Sequence, residues 1–166
     1  LVVKTKNHIE LYHKWINNPE VGRWLDIFLP EHLEVIDKEW FSEEKDEKGF
    51  WLEIWHKESH KPIGMVGLFR IHLQYHNAKL GIFIGEIDYW GKGLGTEAAE
   101  LTVMYGFKTL YLHNIISGVN ASNNWSIKMH EKVGFIEEGY LKEMEYIDGN
   151  WTDVIMFGLL RKNKLK

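Results

Sequence analysis

A chain of 166 residues, 45% hydrophobic and 27% charged, has the size and make-up of one folded domain with a sizeable core. Its formal net charge of −4 argues against a broad nucleic-acid-binding face, and the absence of Cys removes disulfides, thiolate metal sites and a Cys nucleophile together. No apolar run approaches a membrane span and no secretory signal opens the chain; with the start at Leu1 read as trimming, a cytoplasmic location away from membranes is expected.

Val2, Val3 and Lys4 read as a short first strand. Asn7 is expected to cap a helix, with Glu10 three residues later closing a capping box and Ile9, Tyr12 and Ile16 on one face. Asn17-Asn18-Pro19 stops it. A second helix should follow Pro30, with Leu33, Ile36 and Trp40 at helical spacing, and the charged stretch 43–48 is its frayed end or a loop. Alternating strands follow over 50–56, 63–71 and 78–84, the last two paired antiparallel; Trp51, Glu53 and Trp55 share one side of the first. A glycine turn then opens a helix from 93 to about 110. A strand at 115–119 precedes a helix over 122–133 that Gly134 ends. Strands 135–147 and 151–160 close a hairpin around Asp148-Gly149-Asn150. The order predicts one α/β domain over 1–166 with a mixed sheet. Five of the eight Trp precede residue 60; most belong in the core, and a few are candidates for lining a pocket near the glycine turn.

That turn carries the chemistry. Gly91, Gly93 and Gly95 let backbone N–H groups point inward, the following helix adds its N-terminal potential, and Lys92 adds a cation. The pattern suits a phosphate. It is not a P-loop, because Lys92 is followed by Gly93 and not by Ser or Thr. It is not the dinucleotide fingerprint, because Thr96 stands where the last Gly belongs and several strands precede it. A kinase glycine loop sits in a hairpin, not before a helix. A turn with glycines only for tight packing remains the plainer alternative.

The stretch "GIFIGEIDYWGKGLGTEAAE", followed by "VNASNNWSIKMHEKVGF", resembles the GNAT superfamily of N-acetyltransferases. The likeness extends to the opening "VVKTKNHIELYHKWINNPEV" and the closing "EGYLKEMEYIDGNWTDVIMFGLL", and is greatest to the branch of ribosomal-protein N-terminal and spermidine acetyltransferases. It implies a GNAT fold, a mixed, mostly antiparallel central sheet with helices on both faces. It also implies acetyl-CoA as cosubstrate, with no metal. The family's pyrophosphate motif maps onto Trp90, Gly91, Lys92, Gly93, Leu94 and Gly95, leading into Thr96. Trp90 departs from the usual Gln or Arg. The resemblance implies that Ile82, Phe83 and Ile84 pair with the pantetheine arm and that Asn123 and Ser126 add contacts. Asn123 also reads as an ordinary helix cap.

Acetyl transfer needs a neutral amine, a polarised thioester carbonyl and a proton for the departing thiolate. Without Cys the simple route is direct attack in a ternary complex. Where the family carries a Tyr proton donor, this chain has His130; at an ordinary pKa of about 6.5 it is partly charged at neutral pH. Tyr140 and Tyr146 are substitutes. The Glu that relatives carry before the turn is missing, because Lys79 stands there. Glu86 and Glu53 are therefore the candidate bases, with Asp88 and His72 behind them. The expected acceptor is a primary amine, either a protein N-terminus, a polyamine or another small amine; a homodimer is left open. The alternative is an acyl-CoA-binding sensor with weak or no catalysis. No HxxxH helix pair with a carboxylate stands out as a metal site.

Overall fold

The computed structural model describes residues 1–25, 31–41 and 49–165. The expected start of the second helix at Pro30 and the charged stretch 43–48 lie outside them. Seven strands form one sheet in the order β1-β2-β3-β4-β5-β7-β6: β1 Val2–Val3, β2 Phe50–His56, β3 Lys61–His72, β4 Asn77–Ile84, β5 Asn114–Asn120, β6 Ile136–Ile147 and β7 Asn150–Leu160. Among the described strands only β4 and β5 run parallel. Among the described residues six α-helices accompany the sheet: α1 Ile9–Ile16, α2 Pro19–Gly22, α3 Leu33–Phe41, α4 Leu94–Lys108, α5 Asn124–Val133 and α6 Arg161–Lys164. No helix among the described residues is long and apolar enough to cross a membrane.

Period-two alternation sorts the strand side chains onto two faces. Ile54, Val66, Leu68, Ala78, Leu80, Ile115, Val119, Ile155, Phe157 and Leu159 pack with Ala98, Ala99, Val103 and Phe107 of α4 and Val133 of α5. Met65, Trp51 and Phe83 look the other way and pack with Tyr12 and Trp15 of α1 and Trp40 and Phe41 of α3. Helices therefore cover both faces, as expected. The parallel β4–β5 pair needs a crossover, and the 15-residue α4 supplies it.

The entry to α1 differs from the expectation. Asn7 is not a cap, and no capping box with Glu10 forms. A 3₁₀ turn over Lys6–His8 comes first, and Thr5 caps it by accepting the Asn7 N–H at 3.3 Å. Thr5 is extended and two residues closer to β1, so it meets the first free N–H. Asn17-Asn18-Pro19 does end α1, and it also starts α2. The Asn18 side chain accepts from Glu20 N, with Pro19 in the first turn. The closing hairpin turns at Asp148 and Gly149, both at positive φ (51° and 81°). That is the conformation a two-residue turn between twisted strands requires.

Candidate functional site

The β4–β5 ladder is short. It pairs Asn77 with Asn114, Ala78 with Ile115 and Lys79 with Ile116, and then stops. β5 stays paired with β7 as far as Asn120, and β4 stays paired with β3 as far as Ile84. The two strands thus diverge and leave a gap in the middle of the sheet. The Ser117 hydroxyl reaches across its narrow end to the Leu80 carbonyl at 3.2 Å. Leu80 therefore turns its backbone groups to the gap, and by alternation so do Ile82 and Ile84. Beyond the ladder these strand edges have no sheet partner among the described residues. The Trp90 indole N–H caps one of them, the Ile84 carbonyl, at 2.8 Å.

The gap opens onto the glycine turn. Gly91 and Gly93 take left-handed φ of 73° and 80°, and a Cβ on Gly93 would meet nothing within 4 Å. Gly93 is the N-cap of α4 and offers no side-chain bond, so the first N–H groups of that helix remain available. A 15-residue helix with an uncapped N-terminus aimed at a glycine turn is a ready anion site. Gap and turn form one cavity of about 990 Å³. That is the upper end of the ~300–1,000 Å³ usual for small-molecule sites.

Ile82, Phe83, Ile84, Trp90, Gly91, Gly93, Leu94, Gly95, Thr96, Asn123 and Ser126 all line this cavity. Phe83 does so with its side chain, since its backbone faces β3 opposite Met65. Lys92 is not among the lining residues; its ammonium lies over the Tyr89 ring, 5.2 Å from the centroid. Asn123 caps α5 by accepting the Ser126 N–H at 3.1 Å.

The candidate acid and bases sit differently. His130 borders the cavity but is only 2% exposed, stacked on Phe157 and edge-on to Phe135. Its Nδ1 lies 2.8 Å from the Ser126 carbonyl and its Nε2 2.9 Å from Ser117 Oγ. Burial pushes its pKa below the ordinary value, against the raising effect of the Ser126 carbonyl. The ring is therefore neutral at pH 7, with Nδ1–H donating to the Ser126 carbonyl and Nε2 beside Ser117 Oγ, whose single proton serves either Nε2 or the Leu80 carbonyl. An imidazolium acid is not what this environment favours.

Glu53 has no exposed surface and does not line the cavity. Tyr12 Oη donates to it, Trp55 Nε1 donates at 2.6 Å, and His8 Nδ1 lies at 2.7 Å. Burial raises its pKa, but the bonds from Tyr12, His8 and Trp55 outweigh that and hold it below the usual carboxylate value. Burial, and then Glu53 itself, push the Tyr12 phenol upward. Glu86 is also outside the cavity lining. Its Oε1 accepts from Trp15 Nε1 at 2.7 Å and Lys14 Nζ at 3.1 Å. The Trp15 bond is the main reason its pKa is lowered, against partial burial and with help from Lys14. Both carboxylates tie helix α1 to the sheet. His72 stacks on Tyr75 at the far end of β3, and Tyr140 donates to Glu137 on the outer strand.

Sequence reasoning missed Ser117, Asn120, Tyr89, Trp125 and Glu145, all of which line the cavity. None lies in a recognisable spacing. The sheet brings Ser117, Asn120 and Glu145 together, while Tyr89 precedes the glycine turn and Trp125 lies on α5. Among the described residues no group of three or more His, Asp or Glu could hold a metal ion.

Comparison with known proteins agrees with this geometry. An N-acetyltransferase of Bacillus licheniformis, p20, is 36% identical over 106 residues, 64% of this chain and 59% of that protein. The spermidine N(1)-acetyltransferase of Escherichia coli K12 is 36% identical over 92 residues, 55% of this chain and 49% of its own length. The chain thus spans only about half to three fifths of these two relatives. A crystal structure of spermidine N-acetyltransferase from Vibrio cholerae in complex with CoA and spermine has the same fold, with a TM-score of 0.90 at 23% identity over 99% of this chain and 96% of that one. The sequence model of the acetyltransferase (GNAT) domain matches residues 2–136, and with the split sheet and glycine turn in place the chain belongs to that family.

Proposed function

We propose that this protein transfers an acetyl group from acetyl-CoA to a primary amine by direct attack in a ternary complex. The observation that carries this reading is the opened strand edge of Leu80, Ile82 and Ile84 running straight into the glycine turn at the start of α4. An arm carrying amides can complete the interrupted ladder, and its pyrophosphate then falls on the free N–H groups of the turn.

The amine nitrogen attacks the thioester carbonyl, whose oxygen takes up negative charge facing strand-edge N–H groups. The new C–N bond forms, the C–S bond breaks, the amine loses one proton and the thiolate gains one. Ser117 holds the hydroxyl at the narrow end of the gap, and His130 orients it from behind through Nε2. His130 is thus a positioning residue in this reading, and Glu53 and Glu86 hold the scaffold. The acceptor is a small amine or a protein N-terminus, and the cytoplasm is the proposed location. No observation favours a binding module without catalysis.

The test is thiol release from acetyl-CoA with a panel of primary amines. Release dependent on one class of amine supports the reading. Tight acetyl-CoA binding with silence across the whole panel overturns it.

A further inference from the structure

Away from the glycine turn the cavity is walled by rings: Trp24 just past α2, Trp40 and Phe41 of α3, Trp51 of β2, Phe69 of β3 and Phe83 of β4. All six are half-buried, whereas Tyr12 and Trp15 behind them are buried. The wall is held from its rear. Tyr12 stacks on Trp40 and on Phe41, and Trp15 meets Phe83 edge-on at 6.2 Å. A Cβ on Gly67 would sit 3.0 Å from Trp51 Cδ2, and one on Gly81 would sit 2.5 Å from its Cη2, so two glycines leave the room that this indole fills. Phe69 stacks on it at 5.9 Å and 13°. Rings fixed in this way keep apolar area in water that a ligand can cover.

The charges that line the cavity are mostly positive. Lys4, Lys79, Lys128 and Lys132 stand against one carboxylate among the described residues, Glu145. That carboxylate already accepts from Asn120 Nδ2 at 2.6 Å. Lys128 and Lys132 belong to α5, but the other two lysines stand at the aromatic wall. Lys4 Nζ lies 4.9 Å from the Phe41 ring centroid. Lys79 pairs in register with Phe69 and shares a face with Phe83.

We propose that the acceptor is a monoamine carrying an aromatic body, and not a polyamine. The body covers the Trp51–Phe69 stack and its neighbours. The single amine gives up its proton in order to attack, so no positive charge is left beside the lysines. A polyamine keeps its other ammonium groups. Those could also lie on ring faces, but Lys4 and Lys79 then repel them in a partly desolvated site, and one carboxylate cannot balance them. The same chemistry is offered by a free arylalkylamine and by a chain N-terminus led by an aromatic residue.

The proposal takes its reaction from the acetyl-transfer reading, yet the acceptor site can be tested by binding alone. The CoA-bound protein is titrated with phenethylamine, ethylamine, spermidine and a tripeptide amide led by phenylalanine, followed by calorimetry and Trp fluorescence. Phenethylamine should bind about tenfold or more tighter than ethylamine, the same molecule without its ring, and tighter than spermidine. Trp51→Ala should cut that ratio, and so should Trp24→Ala, which lies outside the sheet and leaves its packing alone, with CoA affinity unchanged in both. Lys79→Glu should strengthen spermidine binding and keep the ratio. The tripeptide amide separates the two sources: tighter binding than phenethylamine names a chain N-terminus, weaker binding a free amine. Spermidine binding as tightly as phenethylamine, equal binding of ethylamine and phenethylamine, or a ratio untouched by both Trp variants would each overturn the proposal. Thiol release is read in parallel. Silence there with the binding pattern intact strikes the acetyl-transfer reading and leaves the site standing.

Discussion

The two sides of the gap are built by different means. The side proposed for the cofactor is mainly backbone: the edge at Leu80, Ile82 and Ile84, the turn at residues 91–95 and the first N–H groups of α4, all within one short stretch. The opposite face of the cavity is side chain: Trp51 from β2, Phe69 from β3, Lys79 from β4, Asn120 from β5 and Glu145 from β6 all line it. A backbone site needs glycines at fixed spacing. A side-chain site needs only a sheet that gathers distant residues. The first tolerates side-chain change and resists glycine replacement, and the second does the reverse.

Four substitutions bear on that contrast. The largest effect is expected at Glu53, which belongs to neither side. Glu53→Gln leaves the buried Tyr12 hydroxyl and the half-buried His8 and Trp55 donors around a neutral amide, and the unfolding free energy should fall by about 3 kcal/mol, in the range for breaking a buried charged network. Acetyl-CoA affinity should stay as it was. Because the folded state holds its pKa down, the stability that Glu53 contributes is present above the unfolded value of about 4.3 and lost as pH falls through the folded value. Denaturant unfolding below about pH 5 should therefore be less steep in pH for the variant. Normal stability with lost transfer would instead place Glu53 in the chemistry.

Gly93→Val comes next. Nothing lies within 4 Å of the new Cβ, so the cost is the φ of 80° and the crowded cradle. Left-handed backbone costs about 1–2 kcal/mol for such a residue. The fold should persist, and acetyl-CoA should bind about tenfold or more weaker by calorimetry. Unchanged affinity in a folded variant would remove the turn from the cofactor side.

Gly81→Ala sharpens the contrast from the other side. Its Cβ would press on Trp51 Cη2 at 2.5 Å and Phe69 Cε1 at 3.0 Å. Overpacking of this kind costs about 1–3 kcal/mol. Thermal unfolding should come earlier, and binding of the acceptor amine should suffer more than binding of acetyl-CoA. Equal losses of both would show that the two sides are not separable.

The smallest effect is expected at His130. Its folded pKa is depressed, so the unfolded chain takes up a proton near pH 6.5 while the folded one does not. Its contribution is fully present above about pH 6.5 and is lost as pH falls toward the folded value. His130→Gln should flatten melting temperature against pH in that window. As a positioning residue it should lose less turnover than the roughly 10²–10⁴-fold cost of removing an acid.

The same contrast explains what could be read in advance. The glycine turn and the Gly134 stop were legible because each is written in adjacent residues with special backbone needs, whereas the role of the β4 edge came only from the family resemblance. Of the stripe read from helical spacing as Ile9, Tyr12 and Ile16, Tyr12 and Ile16 are buried together with Trp15, whereas the Thr5 cap was not legible, because Asn7 offers the same chemistry two residues later. Ser117, Asn120 and Glu145 left no trace, since their meeting depends on β7 lying between β5 and β6. His130 was legible as a position and misleading as a charge. Its burial comes from Phe135 and Phe157, and only Phe135 is near it in sequence.

A crystal structure of the protein with bound CoA tests the central claim most directly. The account predicts the pantetheine arm hydrogen-bonded to the backbone of Ile82 and Ile84 in the β4–β5 gap, with the pyrophosphate on the N–H groups that follow Gly93. CoA bound elsewhere, or a gap closed by a continuous β4–β5 ladder, would contradict it.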